Sequence, residues 1–215
     1  LTLMYPGSLG GANWGGGALL ADSGVLLVNV NNIAFSGQLI PIPEDFDPAT
    51  RKQDHPAAGH RMRVTMDGTP YDIEIGSLQS PLGIPCNAPP WGKLVAVDLQ
   101  GGTILWEKAL GSVHEMGPVT APFDIEWGTP NLGGGIATDG GLFFIGATMD
   151  RRIRAFDSKN GDTLWQYTLP VDATATPMTY TYRGRQYVVV NAGGHHMFQR
   201  GQGDYLYAFA LPGKR

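Results

Sequence analysis

Ala96-Val-Asp98-Leu-Gln-Gly-Gly102-Thr-Ile-Leu-Trp106 returns in spacing as Ala155-Phe-Asp157-Ser-Lys-Asn-Gly161-Asp-Thr-Leu-Trp165, with every matching residue 59 positions further on. Each copy reads as a strand, a tight turn and a second strand. Residues 94–97 and 153–156 lead in, and residues 103–106 and 163–166 lead out. The Asp carboxylate suits the turn amides, and the Gly suits the positive φ that such a turn demands. Trp is broad and flat with a single N–H to satisfy, so it fits the gap between neighbouring sheets. A repeat of this kind predicts radial or stacked β architecture.

Outward from the repeat, Val, Ile, Tyr and Phe cluster in short runs bounded by Gly, Asp and Asn, which is a strand signature. The 215 residues include 31 Gly and 16 Pro with only 16% charged residues, which points away from a helical bundle and towards a turn-rich, all-β chain. A net charge of −4 argues against a nucleic-acid partner, which needs a concentrated basic face. Arg151, Arg152 and Arg154 form the one dense basic cluster, read from the base rate for charged side chains as solvated residues at a strand edge. Cys86 is the only cysteine, so no intrachain disulfide exists; lying between prolines, it reads as a buried structural residue. No stretch approaches the roughly 18 apolar residues of a membrane span, and neither an initiating Met nor a leader is visible.

Strand and turn signals divide the chain into three units. The first covers residues 14–110 and is interrupted by a Pro-, Asp- and Gly-rich insertion at 31–91, far longer than an ordinary loop of about 4–6 residues. The second, residues 132–169, holds four strands in roughly the 40–45 residues of a propeller blade. The third, residues 175–211, stops before a fourth strand. Three such units cannot close a ring of roughly four to eight blades. The expectation is therefore a segment of a longer protein, or one part of a multi-chain propeller.

The A-x-D-x3-G-x3-W repeat resembles the tryptophan-docking motif of quinoprotein dehydrogenase propellers. Ser80-Pro-Leu-Gly-Ile-Pro-Cys-Asn-Ala-Pro-Pro-Trp-Gly92, Gly128-Thr-Pro-Asn-Leu-Gly-Gly134, Ala175-Thr-Pro-Met-Thr-Tyr180 and Gly193-Gly-His195 are similar, in order, to the carboxy-terminal part of the membrane-bound glucose/quinate/shikimate branch. The resemblance implies a segment of an eight-bladed propeller with about three four-stranded blades, belonging to a dehydrogenase that carries pyrroloquinoline quinone (PQQ) and oxidises a sugar, polyol or cyclic hydroxy acid. It also implies Ca2+ or Mg2+, ubiquinone as acceptor, and a periplasmic location with attachment to the inner membrane through a region outside this chain. The catalytic base and metal ligands would lie upstream of Leu1, and the remaining blades would come in cis or from a partner chain. The alternative is a non-enzymatic quinoprotein-like scaffold that binds envelope proteins.

The same resemblance marks candidate cofactor-binding residues. Asn13 and Trp14 precede an inner strand among glycines that permit close approach, although Gly-Asn-Trp runs also make simple turns. Asn131, Leu132 and Gly133 begin the second unit, with Leu132 as an apolar pocket wall where related enzymes carry Trp; a tight strand start is the plainer reading. Asp150 would hold a cationic side chain or orient a substrate hydroxyl, or else cap the turn before Arg151. His195 would donate to a sugar hydroxyl or to the quinone. The run from His196 to Arg200 departs from the family's usual Gly-Ser and Gly-Thr-Lys, setting bulk beside the pocket and counting against glucose itself as substrate. His195 and His196, adjacent on a strand, point to opposite faces and make poor joint metal ligands.

Overall fold

Each copy of the repeat builds the same piece of sheet. In the computed structural model, which describes residues 1–43, 61–116, 120–195 and 200–212, strand β7 (Gly92–Asp98) pairs antiparallel with β8 (Thr103–Ala109), and β11 (Arg152–Asp157) with β12 (Thr163–Thr168). Ala96 faces Trp106 and Ala155 faces Trp165, and in both hairpins the register slips immediately after that pair. The turns form as the sequence predicts. Asp98 accepts from the amides of Gln100 and Gly101 at 2.9 and 3.1 Å, and Asp157 accepts from Lys159 at 2.8 Å. Gly102 and Gly161 take φ of 63° and 72°.

Two further strands complete each of these sheets. β2 (Ala12–Leu20) and β3 (Val25–Asn31) give the order β2-β3-β7-β8, while β9 (Gly135–Ala137) and β10 (Leu142–Ile145) give β9-β10-β11-β12. The third unit is three-stranded, β13 (Met178–Tyr182), β14 (Arg185–Gly194) and β15 (Gln202–Phe209). No helix occurs among the described residues.

The insertion is more than an excursion. Its strands β4 (Phe35–Pro41), β5 (Met62–Thr65) and β6 (Tyr71–Ser77) join β1 (Thr2–Met4) in a fourth sheet, ordered β1-β4-β6-β5. Turn-forming residues surround these short strands, so in the sequence the segment shows as a Pro-, Asp- and Gly-rich excursion. Ile33, Phe35 and Trp91 form its buried core, with Met4, Ile75, Val113 and Met116 packed around them.

The main core lies between the first two blade-like sheets. Leu27, Leu94 and Ala96 from one meet Phe143, Ile145 and Phe156 from the other, with Leu110 between them and Trp106 at the margin. A second core joins Ile153, Leu169 and Ala173 to Val190 and Ala192 of β14. Trp165 reaches the third sheet, meeting Phe209 edge to face with centroids 5.0 Å apart. Cys86, expected inside, is exposed: the Pro-rich loop that carries it follows the surface.

Candidate functional site

The segments that begin the inner strands and the turns that follow the second strands gather into one rim. Inner strand β2 approaches β9 so closely that a Cβ on Gly15 would stand 2.0 Å from the Gly133 carbonyl carbon, and one on Gly134 would stand 2.1 Å from the Gly15 oxygen. Gly133, at φ 102°, is pressed in turn against the Thr174 carbonyl. Only backbone fits between these three segments, so the glycines hold adjacent sheets together before any question of ligand arises.

Asn131 fastens that junction. Its side-chain oxygen accepts from Asn29 Nδ2 at 2.6 Å, and its Nδ2 donates to the Val30 carbonyl at 3.2 Å. Asn31 closes the exchange, donating to the Asn131 carbonyl and accepting from its amide, both at 2.8 Å. Asn29 and Asn31 alternate with apolar residues on β3 and are buried. Two Asn at alternate positions of an otherwise Val/Leu strand are the signal from which this joint could have been read. Leu132 is also buried, its amide donating to the Ala147 carbonyl, and Asn131 bridges to Thr148.

Asp150 ends the turn after β10, between Ala147 and Arg151, two non-glycine residues held at positive φ (63° and 58°). Such backbone is costly and persists where its surroundings over-determine it. Here they do. Asp150 Oδ1 accepts from Thr148 Oγ1 at 2.6 Å and Arg154 Nη1 at 3.1 Å, while Oδ2 accepts from the Ser112 amide at 2.7 Å and also from Arg154 Nη2. Burial opposes the charge on Asp150, but Arg154, Thr148 and Ser112 together outweigh it and hold the carboxyl below its ordinary range. Of the roles read from sequence, the carboxylate performs two: its Oδ1 accepts from the Arg152 amide at 3.3 Å to cap the turn, and it holds a cationic side chain.

That pairing corrects the reading of the arginine cluster as solvated. Arg154 is 3% exposed. Arg152 Nη2 donates to both carboxylate oxygens of Asp124, at 2.9 and 3.0 Å, and Arg151 pairs through Nε with Glu115 Oε2 at 2.9 Å and through Nη2 with Oε1. The arginines hold Asp124 and Glu115 below their ordinary range. Both acids come from the connection between the first two blade-like sheets, so nothing near the arginines in sequence announced them.

Asp172 carries no signal in the sequence, and Arg200 is read there only as the end of the run that sets bulk beside the pocket. Asp172 is buried, and neither carboxylate oxygen has a hydrogen bond of ordinary geometry; Arg200 Nε, likewise without one, faces Oδ2 at 3.4 Å. Burial raises the Asp172 carboxyl to about 6, with the Arg200 charge pulling the other way. The Asp172 carbonyl accepts from the Gly194 amide at 2.9 Å, so this acid stands directly behind the strand end that presents His195. His195 itself is half-buried and follows β14, while His196 lies outside the described residues.

On the remaining side of the rim, Asn13 is half-buried and Trp14 is 65% exposed. Asn13 Oδ1 accepts from the Trp14 amide at 2.7 Å, which leaves its NH2 group free of partners among the described residues. Cβ atoms built on Gly11 and Gly16 would meet nothing within 4 Å. Open space above Gly11 and Gly16, an exposed indole and a spare amide donor fit the flat face and oxygen atoms of a planar quinone. Among the described residues, no group of three or more His, Cys, Asp or Glu is placed to hold a metal ion, and no helix is long and apolar enough to cross a membrane.

Residues 1–188 match the family described as PQQ: glucose/ethanol/alcohol dehydrogenase, beta-propeller domain. The chain is 43% identical over 213 residues to quinoprotein glucose dehydrogenase A of Acinetobacter calcoaceticus, covering 98% of this chain and 26% of that protein. It is 39% identical over 216 residues to the quinate/shikimate dehydrogenase (quinone) of Acinetobacter baylyi, again over 98% of this chain and 26% of the relative. It thus spans about a quarter of the length of the curated relatives it matches. Quinohemoprotein alcohol dehydrogenase from Comamonas testosteroni superposes on the whole chain and 28% of its own, with a TM-score of 0.61 at 22% identity, a likeness of fold. The paired tryptophan hairpins, the glycine-sealed rim and this match along most of the sequence make the chain a member of the PQQ glucose/ethanol/alcohol dehydrogenase β-propeller family.

Proposed function

We propose that the chain is the carboxy-terminal part of a PQQ-dependent dehydrogenase that oxidises a sugar, polyol or cyclic hydroxy acid and passes the electrons to a quinone. The observation that carries this reading is the exposed Trp14 and the Asn13 amide beside the open space at Gly11 and Gly16, in a chain of this family. PQQ, when bound, supplies the acceptor for the two electrons taken from the alcohol carbon. Trp14 gives the flat apolar contact, and the Asn13 NH2 donates to an oxygen of the ring system. His195 donates to a substrate hydroxyl or to the quinone. Asn131, Leu132 and Gly133 hold the start of β9 in place behind them, and Asp150 fixes the adjoining turn through Arg154.

The base, the Ca2+ or Mg2+ ligands and the rest of the pocket belong to other blades, in this reading upstream of Leu1 or in a partner chain. A quinone acceptor, ubiquinone in this reading, is supported by the word "quinone" in the names of two quinate dehydrogenases among the relatives. It implies a periplasmic catalytic domain held at the inner membrane by a region outside this chain. The test uses the complete protein with PQQ and Ca2+ or Mg2+, following dye reduction with glucose, quinate, shikimate and glycerol. Cofactor-dependent turnover is the expected result, with glucose not the preferred donor. No turnover together with no PQQ binding overturns the reading and leaves a scaffold.

A further inference from the structure

We infer that Arg200 is a positioning residue for the donor-binding site: it fixes the strand end carrying His195 against the turn carrying Asp150. The inference rests on the dehydrogenase reading above and goes beyond it, because it assigns a role to a side chain that never meets the substrate.

The geometry is a chain of contacts across the rim. Arg200 immediately precedes Gly201, whose carbonyl would lie 2.1 Å from a Cβ on Gly194, so Arg200 sits where β15 leaves the end of β14. Arg200 Nη1 donates to the Glu115 carbonyl at 2.5 Å and Nη2 to Glu115 Oε2 at 3.0 Å. The same Glu115 carboxylate receives Arg151, the neighbour of Asp150. One acid therefore joins two guanidinium groups, one from the turn of the second blade-like sheet and one from the third. Arg200 Nε completes the chain by facing Asp172, whose carbonyl holds the Gly194 amide.

Arg200 is mostly buried, with Nη1 and Nη2 both donating to Glu115 and Nε turned towards Asp172, so its guanidinium is aimed at the protein. What it controls is the separation of His195 from Asp150. Such a separation is worth controlling: a displacement of about 1 Å in a positioning group costs up to about a hundredfold in rate. Lys cannot reproduce the fork, since its ammonium is a single point and cannot reach Glu115 twice and Asp172 together.

The experiment uses the complete protein reconstituted with PQQ and the divalent cation, comparing Arg200→Gln, Arg200→Lys and Glu115→Gln with wild type. Arg200→Gln is expected to raise KM for the best donor by about tenfold while kcat falls by less than about threefold, with Arg200→Lys in between. Glu115→Gln, which weakens both arginine contacts, is expected to raise KM at least as far. Hydrogen exchange on the cofactor-free protein adds a readout independent of turnover: faster exchange in Arg200→Gln confined to peptides over residues 111–116 and 192–195. KM and kcat both unchanged, or a lowered Tm without a KM change, overturns the positioning role and leaves an ion pair that only supports the fold. Failure of wild type itself to bind PQQ overturns the dehydrogenase reading, and this inference with it, even if the exchange difference is present.

Discussion

Trp106 donates its indole N–H to the Ser158 carbonyl at 3.2 Å, while its ring lies against Gly161, where a Cβ would stand 2.7 Å from Cε3. The Trp of the first repeat is thus seated on the turn of the second, and the two motifs are halves of one joint. A side chain on Gly161 has to displace the ring, and its φ of 72° is costly for any L residue besides.

Gly102 is the matched control. It takes a similar φ, 63°, but a Cβ there would meet nothing within 4 Å. Gly102→Ala is expected to cost about 1 kcal/mol from backbone alone, and Gly161→Ala about 2–4 kcal/mol once overpacking against Trp106 is added. Urea denaturation of the two variants checks this. Equal losses would mean that Trp106 yields freely and that the docking contact is incidental.

The buried asparagine joint makes a different prediction. Asn131→Ala removes the acceptor for Asn29 and the donor to Val30, an expected loss of about 2–3 kcal/mol. Asn131→Asp keeps the acceptor but sets a carboxylate against the Val30 and Thr129 carbonyls that Nδ2 now serves. It is expected to be worse than Ala at neutral pH and to recover towards Ala as the pH approaches 4. An aspartate variant indistinguishable from wild type would show that water, not Asn131, satisfies those carbonyls.

The repeat was legible because its parts are local: Asp98 and Asp157 serve amides two or three residues away, and the glycine φ is a property of one residue. The rim was only half legible. Asn13, Asn131 and His195 stand out beside glycine runs and Asp150 through the family resemblance, and the fold does bring neighbouring segments of the rim together. Their partners do not stand out, because a side chain such as Glu115 gains its meaning from Arg151 and Arg200, which lie 36 and 85 positions away. For Arg151 and Arg152 the same distance applies, since Glu115 and Asp124 lie 36 and 28 positions away. Arg154 differs: its partner Asp150 is four residues back, and base rates for charged side chains describe charges without partners.

That ion pair can be tested as a pair. Arg154→Met leaves a buried carboxylate with only Thr148 and backbone amides, and is expected to cost about 3–5 kcal/mol. Asp150→Asn retains an oxygen for the Ser112 amide but strands the guanidinium, with a loss of similar size. The double variant removes both charges and is expected to recover much of what either single change loses. A double-mutant cycle on unfolding midpoints reads the coupling; additive losses would mean that the two charges are screened by water despite their burial.

Asp172 gives the pH prediction, and its sign is opposite to that of the paired acids. Its folded carboxyl titrates at about 6 against an ordinary 3.8, so between those values the native state binds a proton that the unfolded chain has lost. Stability therefore falls as pH rises through that window, by up to about 3 kcal/mol once pH exceeds 6. Glu115, Asp124 and Asp150, all held below their ordinary values, contribute stability that is present at neutral pH and is lost on acidification below roughly pH 4. Asp172→Asn removes the group that titrates near 6 and leaves the others in place. The difference in urea midpoint between Asp172→Asn and wild type, taken at pH 4.5, 5.5 and 7, cancels the five histidines common to both proteins. The variant is expected to gain on wild type steadily across that series. A constant difference would mean that Arg200 already keeps Asp172 ionised throughout, and that their 3.4 Å approach is a closed ion pair.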